Sequence, residues 1–191
     1  MKVVLKPKKF IKPILITVII IALLSGFLYL TIKNKPITQV KHHRSIFTFR
    51  DNVRDAEKIK IVPDESQLNK AFWNYRMTNI TYYYAPLDAK TNGYYKVEIF
   101  ELTNKLTQMY NTRRPIIIVK NFDAEQITSF ENVTREDEVL KIIFVPPGLA
   151  NETYVRVGGN RIWIYAKNYR DFDLAVIKTI LTAMRKYELV T

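Results

Sequence analysis

The chain has 191 residues, with 30 Lys and Arg against 18 Asp and Glu, two His and no Cys. Without Cys it can form no disulfide, thiolate zinc site, iron–sulfur cluster or thiol nucleophile. His42 and His43 are adjacent, which argues against a Ser-His-Asp triad and against a multi-histidine metal site. We therefore expect no metal and no cofactor, and the length suits one folded domain with an appendage.

The net charge of +12 is concentrated at the N-terminal end of the chain. Nine of the 30 basic residues lie in residues 1–44, which contain no acidic residue, so that 21 basic and 18 acidic residues remain beyond residue 44. Basic residues that flank an apolar segment are attracted to anionic lipid head groups by about 1 kcal/mol each. The rest of the chain lacks a strongly basic face, so we expect no nucleic-acid partner.

The apolar segment is Ile14 to Ile32, an uncharged run of 19 residues. At about 1.5 Å per residue a helix of this length reaches about 28 Å, which matches the hydrocarbon core of a bilayer. The run is longer than the core of a cleaved signal peptide and has no A-x-A-like site after it, so a cleaved leader is the less favoured alternative. The short lysine-rich tail 1–13 favours a cytoplasmic N-terminus and an extracytoplasmic C-terminal part.

The residues after the apolar segment divide into a linker and a domain. Residues 33–45 are polar, basic and interrupted by Pro36, which is typical of a juxtamembrane linker. Residues 46–191 are predicted to form one extracytoplasmic α/β domain. The sequons at Asn79, Asn132 and Asn151 are candidate glycan acceptors on an exported domain, although such triplets also arise by chance.

The first half of the domain alternates between strands and helices. Apolar alternation predicts strands at 46–49 and 58–62, and the acidic start and apolar spacing of 64–75 predict a helix. A third strand is predicted at 80–85. Its Tyr82-Tyr83-Tyr84 run must place aromatic rings on both faces of a sheet, and we expect most of the aromatic residues to fill the core.

A βαβ unit is predicted next. Residues 94–110 form the clearest helix of the domain, with one apolar face made of Tyr95, Ile99, Leu102, Leu106 and Met109. The continuous apolar strand 115–119 that follows is typical of a central strand buried on both faces. Strand, helix and strand at this spacing predict two parallel strands joined by a right-handed crossover.

The last part of the chain predicts a strand, a hairpin and a closing helix. Residues 139–145 form an apolar strand, and two more strands flank Gly158-Gly159-Asn160, a strong signal for a primed turn. The closing helix begins near Asn168, which can cap it. The fold class is therefore α/β: a transmembrane helix followed by one α/β sandwich domain with a mixed sheet, the βαβ unit, the C-terminal hairpin and the closing helix.

Acidic pairs are the candidates for chemistry. Asp171 and Asp173 are interpreted as partners of a helix N-terminus, with a catalytic or cation-binding pair as the alternative. Glu98 and Glu101 are interpreted as exposed helix charges, with a glycosidase-like pair as the alternative. No Gly-rich phosphate loop is present. No catalytic residue is therefore assigned.

Three stretches resemble an uncharacterised group of archaeal single-pass membrane proteins. They are FTFRDNVRDAEKIKIVPDESQL, YYKVEIFELTNKLTQMY and LKIIFVPPGLANETYVRVGGNRIWIYAKNYRDFDLAVIKTIL. The group has similar motifs, among them YxVExFEL, ANxTxVxVxGNxIxI and DxDLAVxKxIL. The similarity covers most of residues 47–183. It implies a location in the membrane and no particular chemistry.

Together these features predict a membrane-anchored extracytoplasmic binding or assembly module that is not a catalyst. Its partners would be the lipid bilayer and a surface or membrane protein. The alternatives are a membrane-anchored surface hydrolase that uses carboxylates, or an accessory subunit of a membrane complex. A cleft lined by two carboxyls, one of them with a raised pKa, would favour the hydrolase.

Overall fold

A computed structural model describes residues 20, 25, 38–74, 79–110, 116–123, 126–127 and 139–190. The chain forms two compact units, Met1–Pro36 and Ile37–Thr191. In the first unit, Ile20 and Ser25 are helical, and the rest of the predicted segment 14–32 lies outside the described residues. Within the described part of the chain, no helix has both the length and the apolar character needed to cross a membrane.

The second unit is an α/β domain with a mixed six-stranded sheet and a three-stranded antiparallel sheet. The large sheet has the order β3-β7-β8-β6-β4-β5, and all neighbours are parallel except β7 and β8. The small sheet has the order β2-β1-β9. In chain order the elements are β1 Thr38–His42, β2 Ser45–Phe49, α1 Val53–Glu57, β3 Lys60–Val62, α2 Glu65–Asn74, β4 Asn79–Tyr84, α3 Ala89–Tyr110, β5 Ile116–Asn121, β6 Leu140–Phe144, β7 Tyr154–Gly158, β8 Arg161–Tyr165, α4 Tyr169–Met184 and β9 Glu188–Val190.

The large sheet buries side chains on both of its faces. Tyr82 and Tyr84 belong to the main core cluster, whereas Tyr83 belongs to a smaller cluster with Ile143 and Trp163. Because alternate residues of a strand point to opposite faces, the three tyrosines reach both clusters, as the sequence predicted. The main cluster also includes Val40 and Phe47, so the small sheet shares the same core.

The folded unit begins earlier than the sequence predicted. Residues 38–42, assigned to a juxtamembrane linker, form β1, which pairs with both β2 and β9. The linker boundary at residue 45 is therefore wrong. The polar and basic composition of these residues hides the strand, because only Val40 of β1 is buried and the other side chains lie near solvent.

The strand predicted to be central lies at an edge. β4 and β5 are parallel and flank α3 in the chain, which confirms the strand–helix–strand unit. Every residue of β5 is exposed, however, and β5 is an outer strand in the order of the described strands. The prediction of a buried central strand is wrong, because an apolar run does not determine strand order. β8 and β6 occupy the centre instead, and β4 lies between β6 and the edge strand β5.

The C-terminal hairpin and the closing helix follow the sequence prediction. β7 and β8 are antiparallel, and Gly159 between them has φ of 58°, a value that favours glycine. α4 is capped by Asn168, whose side chain accepts a hydrogen bond from the Asp171 backbone N–H at 2.9 Å. Leu174 to Met184 are all buried, because α1, α2 and α3 contact α4 on several sides.

Candidate functional site

A small acidic cavity lies between α3 and α4, and we name it the α3–α4 pocket. Its volume is about 210 Å³. The loop after β2 contributes to its wall, together with residues of both helices. The lining residues are Arg50, Asp51, Gly93, Tyr94, Val97, Glu98, Glu101, Asp173 and Ile177.

Helix geometry places the polar lining residues of α3 on one side of that helix. Tyr94, Glu98 and Glu101 are separated by four and three residues, which lines one helix face. α3 begins at Ala89, earlier than predicted, because Asp88 and Thr91 form a reciprocal cap. The Thr91 N–H donates to the Asp88 carboxylate at 2.7 Å, and the Asp88 N–H donates to the Thr91 hydroxyl at 2.8 Å. These bonds lower the pKa of Asp88.

Glu98 is buried in the wall of this pocket, with 7% of its surface exposed. Burial raises the pKa of Glu98 to about 8, and the nearby charges of Asp173 and Glu101 add to the rise, while Arg50 and Lys105 oppose it. No hydrogen bond to its carboxyl group is found among the described residues. The interpretation of Glu98 as an exposed helix charge is therefore wrong, since α4 covers this side of α3.

Asp173 reaches the pocket from α4 and is held by a tyrosine of α3. The Tyr94 hydroxyl donates to the Asp173 carboxylate and lies 2.9 Å from the backbone carbonyl oxygen of Tyr169. Burial raises the pKa of Asp173, although the hydrogen bond from Tyr94 lowers it. Burial also raises the pKa of Tyr94. Tyr94 therefore stays protonated and orients the Asp173 carboxylate.

Asp171, two residues earlier, has a different role. Its carboxylate accepts hydrogen bonds from the Thr153 hydroxyl at 3.1 Å and from the Asn168 amide at 3.2 Å. These contacts lie in the first turn of α4, where an acidic side chain complements the helix dipole. The predicted structural role therefore fits Asp171, while Asp173 belongs to the α3–α4 pocket.

The pocket contains more acidic than basic groups. Four carboxyls, from Asp51, Glu98, Glu101 and Asp173, line it together with the Arg50 guanidinium. Lys105 forms an ion pair with Glu101 and lies 4.7 Å from the centre of the Phe49 ring. Among the described residues, no group of three acidic or histidine side chains is arranged to hold a metal ion. The remaining negative charge suits a cationic group of a ligand, and Glu98 can exchange a proton near neutral pH.

The other residues singled out in the sequence lie away from this pocket. Asn151 is exposed, Asn79 is half-buried at the start of β4, and Asn132 lies outside the described residues. His42 ends β1, with Nδ1 2.7 Å from the carbonyl oxygen of Lys186, and His43 is exposed in the following turn.

Comparison with known proteins finds no relative of this chain. No protein-family model, no curated protein and no solved structure matches this chain. The resemblance to the archaeal membrane-protein group is thus carried by the sequence motifs alone.

No motif or spacing in the sequence marks two of the pocket residues, Arg50 and Tyr94. Arg50 follows β2 in a loop, and Tyr94 precedes the predicted apolar face of α3. A weak signal did exist for Glu98, which lies three residues after Tyr95 and directly before Ile99. A charged residue at the border of an apolar face is buried when a second helix packs over that border.

Proposed function

We propose that the domain is the extracytoplasmic binding module of a membrane-anchored protein, and that the α3–α4 pocket holds a cationic group of its ligand. The observation that carries the proposal is Glu98, a largely buried residue that lines the cavity and whose carboxyl group has no hydrogen-bond partner among the described residues. A buried polar group without a partner is costly, and a protonated amine or guanidinium would supply one. A cavity of about 210 Å³ suits one such group and not a whole drug-sized molecule.

Binding of n-butylammonium and agmatine to the full chain in non-ionic micelles, measured by calorimetry, tests this function. Because the cation requires ionised Glu98, whose pKa is about 8, affinity should rise on the order of 100-fold between pH 6 and pH 9. Glu98→Gln should weaken binding and remove the pH dependence. Glu152→Gln is the matched control, since it removes one exposed carboxylate outside the pocket. Equal affinity for the parent and Glu98→Gln would contradict the proposal.

A second candidate is a surface hydrolase that uses carboxylates. It is favoured by one observation: Glu98 and Asp173 line the same cavity from two different helices, and Glu98 carries a proton at neutral pH. Such a pair can donate and accept protons. Release of new reducing ends from surface glycans, present in the parent and absent in both Glu98→Gln and Asp173→Asn, would establish hydrolysis. Ligands recovered unchanged would favour the binding module.

The anchor and its orientation are part of the same proposal. Ile14 to Ile32 would span the membrane with residues 1–13 in the cytoplasm. Protease added to spheroplasts is expected to digest the domain beyond residue 37 and to spare an N-terminal tag. Protection of the domain until the spheroplasts are lysed would contradict the orientation.

The third possibility is an accessory subunit of a membrane complex, held by the apolar segment. In an accessory subunit the apolar segment would hold the partner, whereas in the binding module the α3–α4 pocket would hold the ligand. If a membrane protein is retained after Glu98→Gln but is lost when Ile14 to Ile32 is replaced by an unrelated membrane span, the accessory-subunit interpretation is favoured.

A further inference from the structure

A second depression, opposite in charge, lies at the other end of the β1–β2 hairpin. Thr38 pairs with Phe49 at the end near Arg50 of the α3–α4 pocket, whereas His42 pairs with Ser45 at the far end. At this far end the β1–β2 turn and the α4–β9 turn enclose an open depression of about 630 Å³. We name it the basic turn pocket, and it is lined by Lys41, His43, Arg185, Lys186, Tyr187 and Glu188.

Both turns hold side chains in an unusual backbone conformation. His43 has φ of 53°, and Arg185 has φ of 59° with ψ of −49°. The Lys186 N–H donates to the Met184 carbonyl oxygen at 2.6 Å, so Arg185 is the central residue of a γ-turn of the rare positive-φ type. A residue with a Cβ is strained there, and glycine is the residue that ordinarily occupies such positions. Strain of this kind is often retained where a side chain has a function.

The two turns are tied to each other and to the helices beneath them. His42 Nδ1 lies 2.7 Å from the carbonyl oxygen of Lys186, which joins the β1–β2 turn to the α4–β9 turn. The Arg185 guanidinium lies 4.7 Å from the centre of the Trp73 ring, and the Tyr187 hydroxyl donates to Glu57. The basic side chains are therefore presented by a connected set of elements.

Positive charges outnumber negative charges in this pocket, although Glu188 lies directly opposite Lys41 in the antiparallel β1–β9 pair. Lys41, Arg185 and Lys186 are exposed, and Glu188 supplies the one carboxylate of the lining. In the described part of the chain, none of these three cations lies within ion-pair distance of a carboxylate. Arg44 adds a further exposed positive charge in the β1–β2 turn. Clustered cations in a concave site attract an anion with several charged oxygens.

We propose that the basic turn pocket binds an anion of the phosphoryl class. Such a group is offered by the head group of an anionic membrane lipid or by a free phosphate compound. Lysine contributes point charges to such a group, whereas arginine donates paired hydrogen bonds to its oxygens. This site is separate from the α3–α4 pocket and takes a ligand of opposite charge.

The test uses the full chain in non-ionic micelles and two soluble probes, inorganic pyrophosphate and glycerophosphoglycerol, the head group of phosphatidylglycerol. Lys41→Gln/Lys186→Gln should weaken calorimetric binding of the preferred probe by about tenfold. Lys90→Gln/Lys167→Gln is the matched control with the same net charge. Both control lysines are exposed, and they lie near the first residues of α3 and α4. Arg185 of the basic turn pocket follows the last residue of α4, a helix of 16 residues that is about 24 Å long. The start of α4 is therefore far from the basic turn pocket.

The variant Arg185→Gly tests whether affinity for the anion can fall while the stability of the domain is kept. Glycine accepts the backbone conformation of this turn, so the melting temperature should stay the same or rise while affinity for the anion falls severalfold. Tighter binding of pyrophosphate would identify a free phosphate as the source, and tighter binding of glycerophosphoglycerol would identify a lipid head group; either result supports the site. No saturable binding of either probe, or an equal loss in the control, would overturn it.

Discussion

Glu98→Gln is expected to stabilise the domain by on the order of 2 kcal/mol at pH 9 and to change its stability little at pH 5. Burial raises the pKa of Glu98 from 4.5 to about 8. Between these two pH values the folded domain therefore holds a proton that the unfolded chain has released. This contribution to stability is complete below pH 4.5 and is lost as the pH rises through about 8. Each pKa unit corresponds to about 1.4 kcal/mol at most. Gln resembles the protonated carboxyl and cannot ionise.

Urea unfolding of the full chain between pH 5 and pH 9, followed by tryptophan fluorescence, measures this effect. The parent should lose stability across the range, and the slope should be reduced in Glu98→Gln. Glu152→Gln, at an exposed position, should keep the slope of the parent. If Glu98→Gln lowers stability at every pH with the slope unchanged, Glu98 is ionised and paired, and the burial described above is contradicted.

Phe172→Ala is expected to cost about 3 to 5 kcal/mol, the range seen for truncation of a fully buried aromatic ring. Phe172 is inaccessible to solvent, and its ring centre lies 5.0 Å from that of Phe144 and 5.7 Å from that of Tyr95. Its ring also contacts Tyr94, with ring centres 5.9 Å apart, so the cavity left by Ala would loosen the hydroxyl that orients Asp173. For a domain of this size a melting temperature lower by roughly 10 °C follows.

Tyr169→Ala provides the comparison on the same helix. Tyr169 contacts Tyr94 at 4.8 Å between ring centres but is exposed, so its truncation should cost less than about 1 kcal/mol. Differential scanning calorimetry of the two variants checks the difference. Similar melting temperatures for both would mean that α4 is not the centre of the core.

The two pockets differ in how far the sequence anticipated them. The basic turn pocket is made of residues that the sequence assigns to a linker and to the chain end, and nothing in their order shows that Lys41 and Lys186 lie close together. The α3–α4 pocket includes Asp173 and Glu98, both considered as candidates. The sequence suggests the pairs Glu98–Glu101 and Asp171–Asp173, because the members of each pair are close in the chain. In the structure, Glu98 and Asp173 line one cavity from two different helices.

Local patterns determined the elements whose signals lie within a few residues. Tyr82-Tyr83-Tyr84 requires rings on both faces of a strand, Gly159 permits the tight turn between β7 and β8, and Asn168 can cap a helix in almost any context. These outcomes depend on backbone geometry and on neighbours in the chain. They were therefore predicted correctly before any tertiary contact was known.

Only the tertiary structure decided the order of the strands, the burial of charges and the extent of the domain. β5 begins with four apolar residues and yet lies at the edge, while β6 and β8 pair at the centre. β1 is a strand because β2 and β9 pair with it, and β9 comes from the opposite end of the chain. Glu98 is buried because α4 packs over one side of α3. In each case the deciding free energy comes from contacts between residues far apart in sequence, which no local pattern contains.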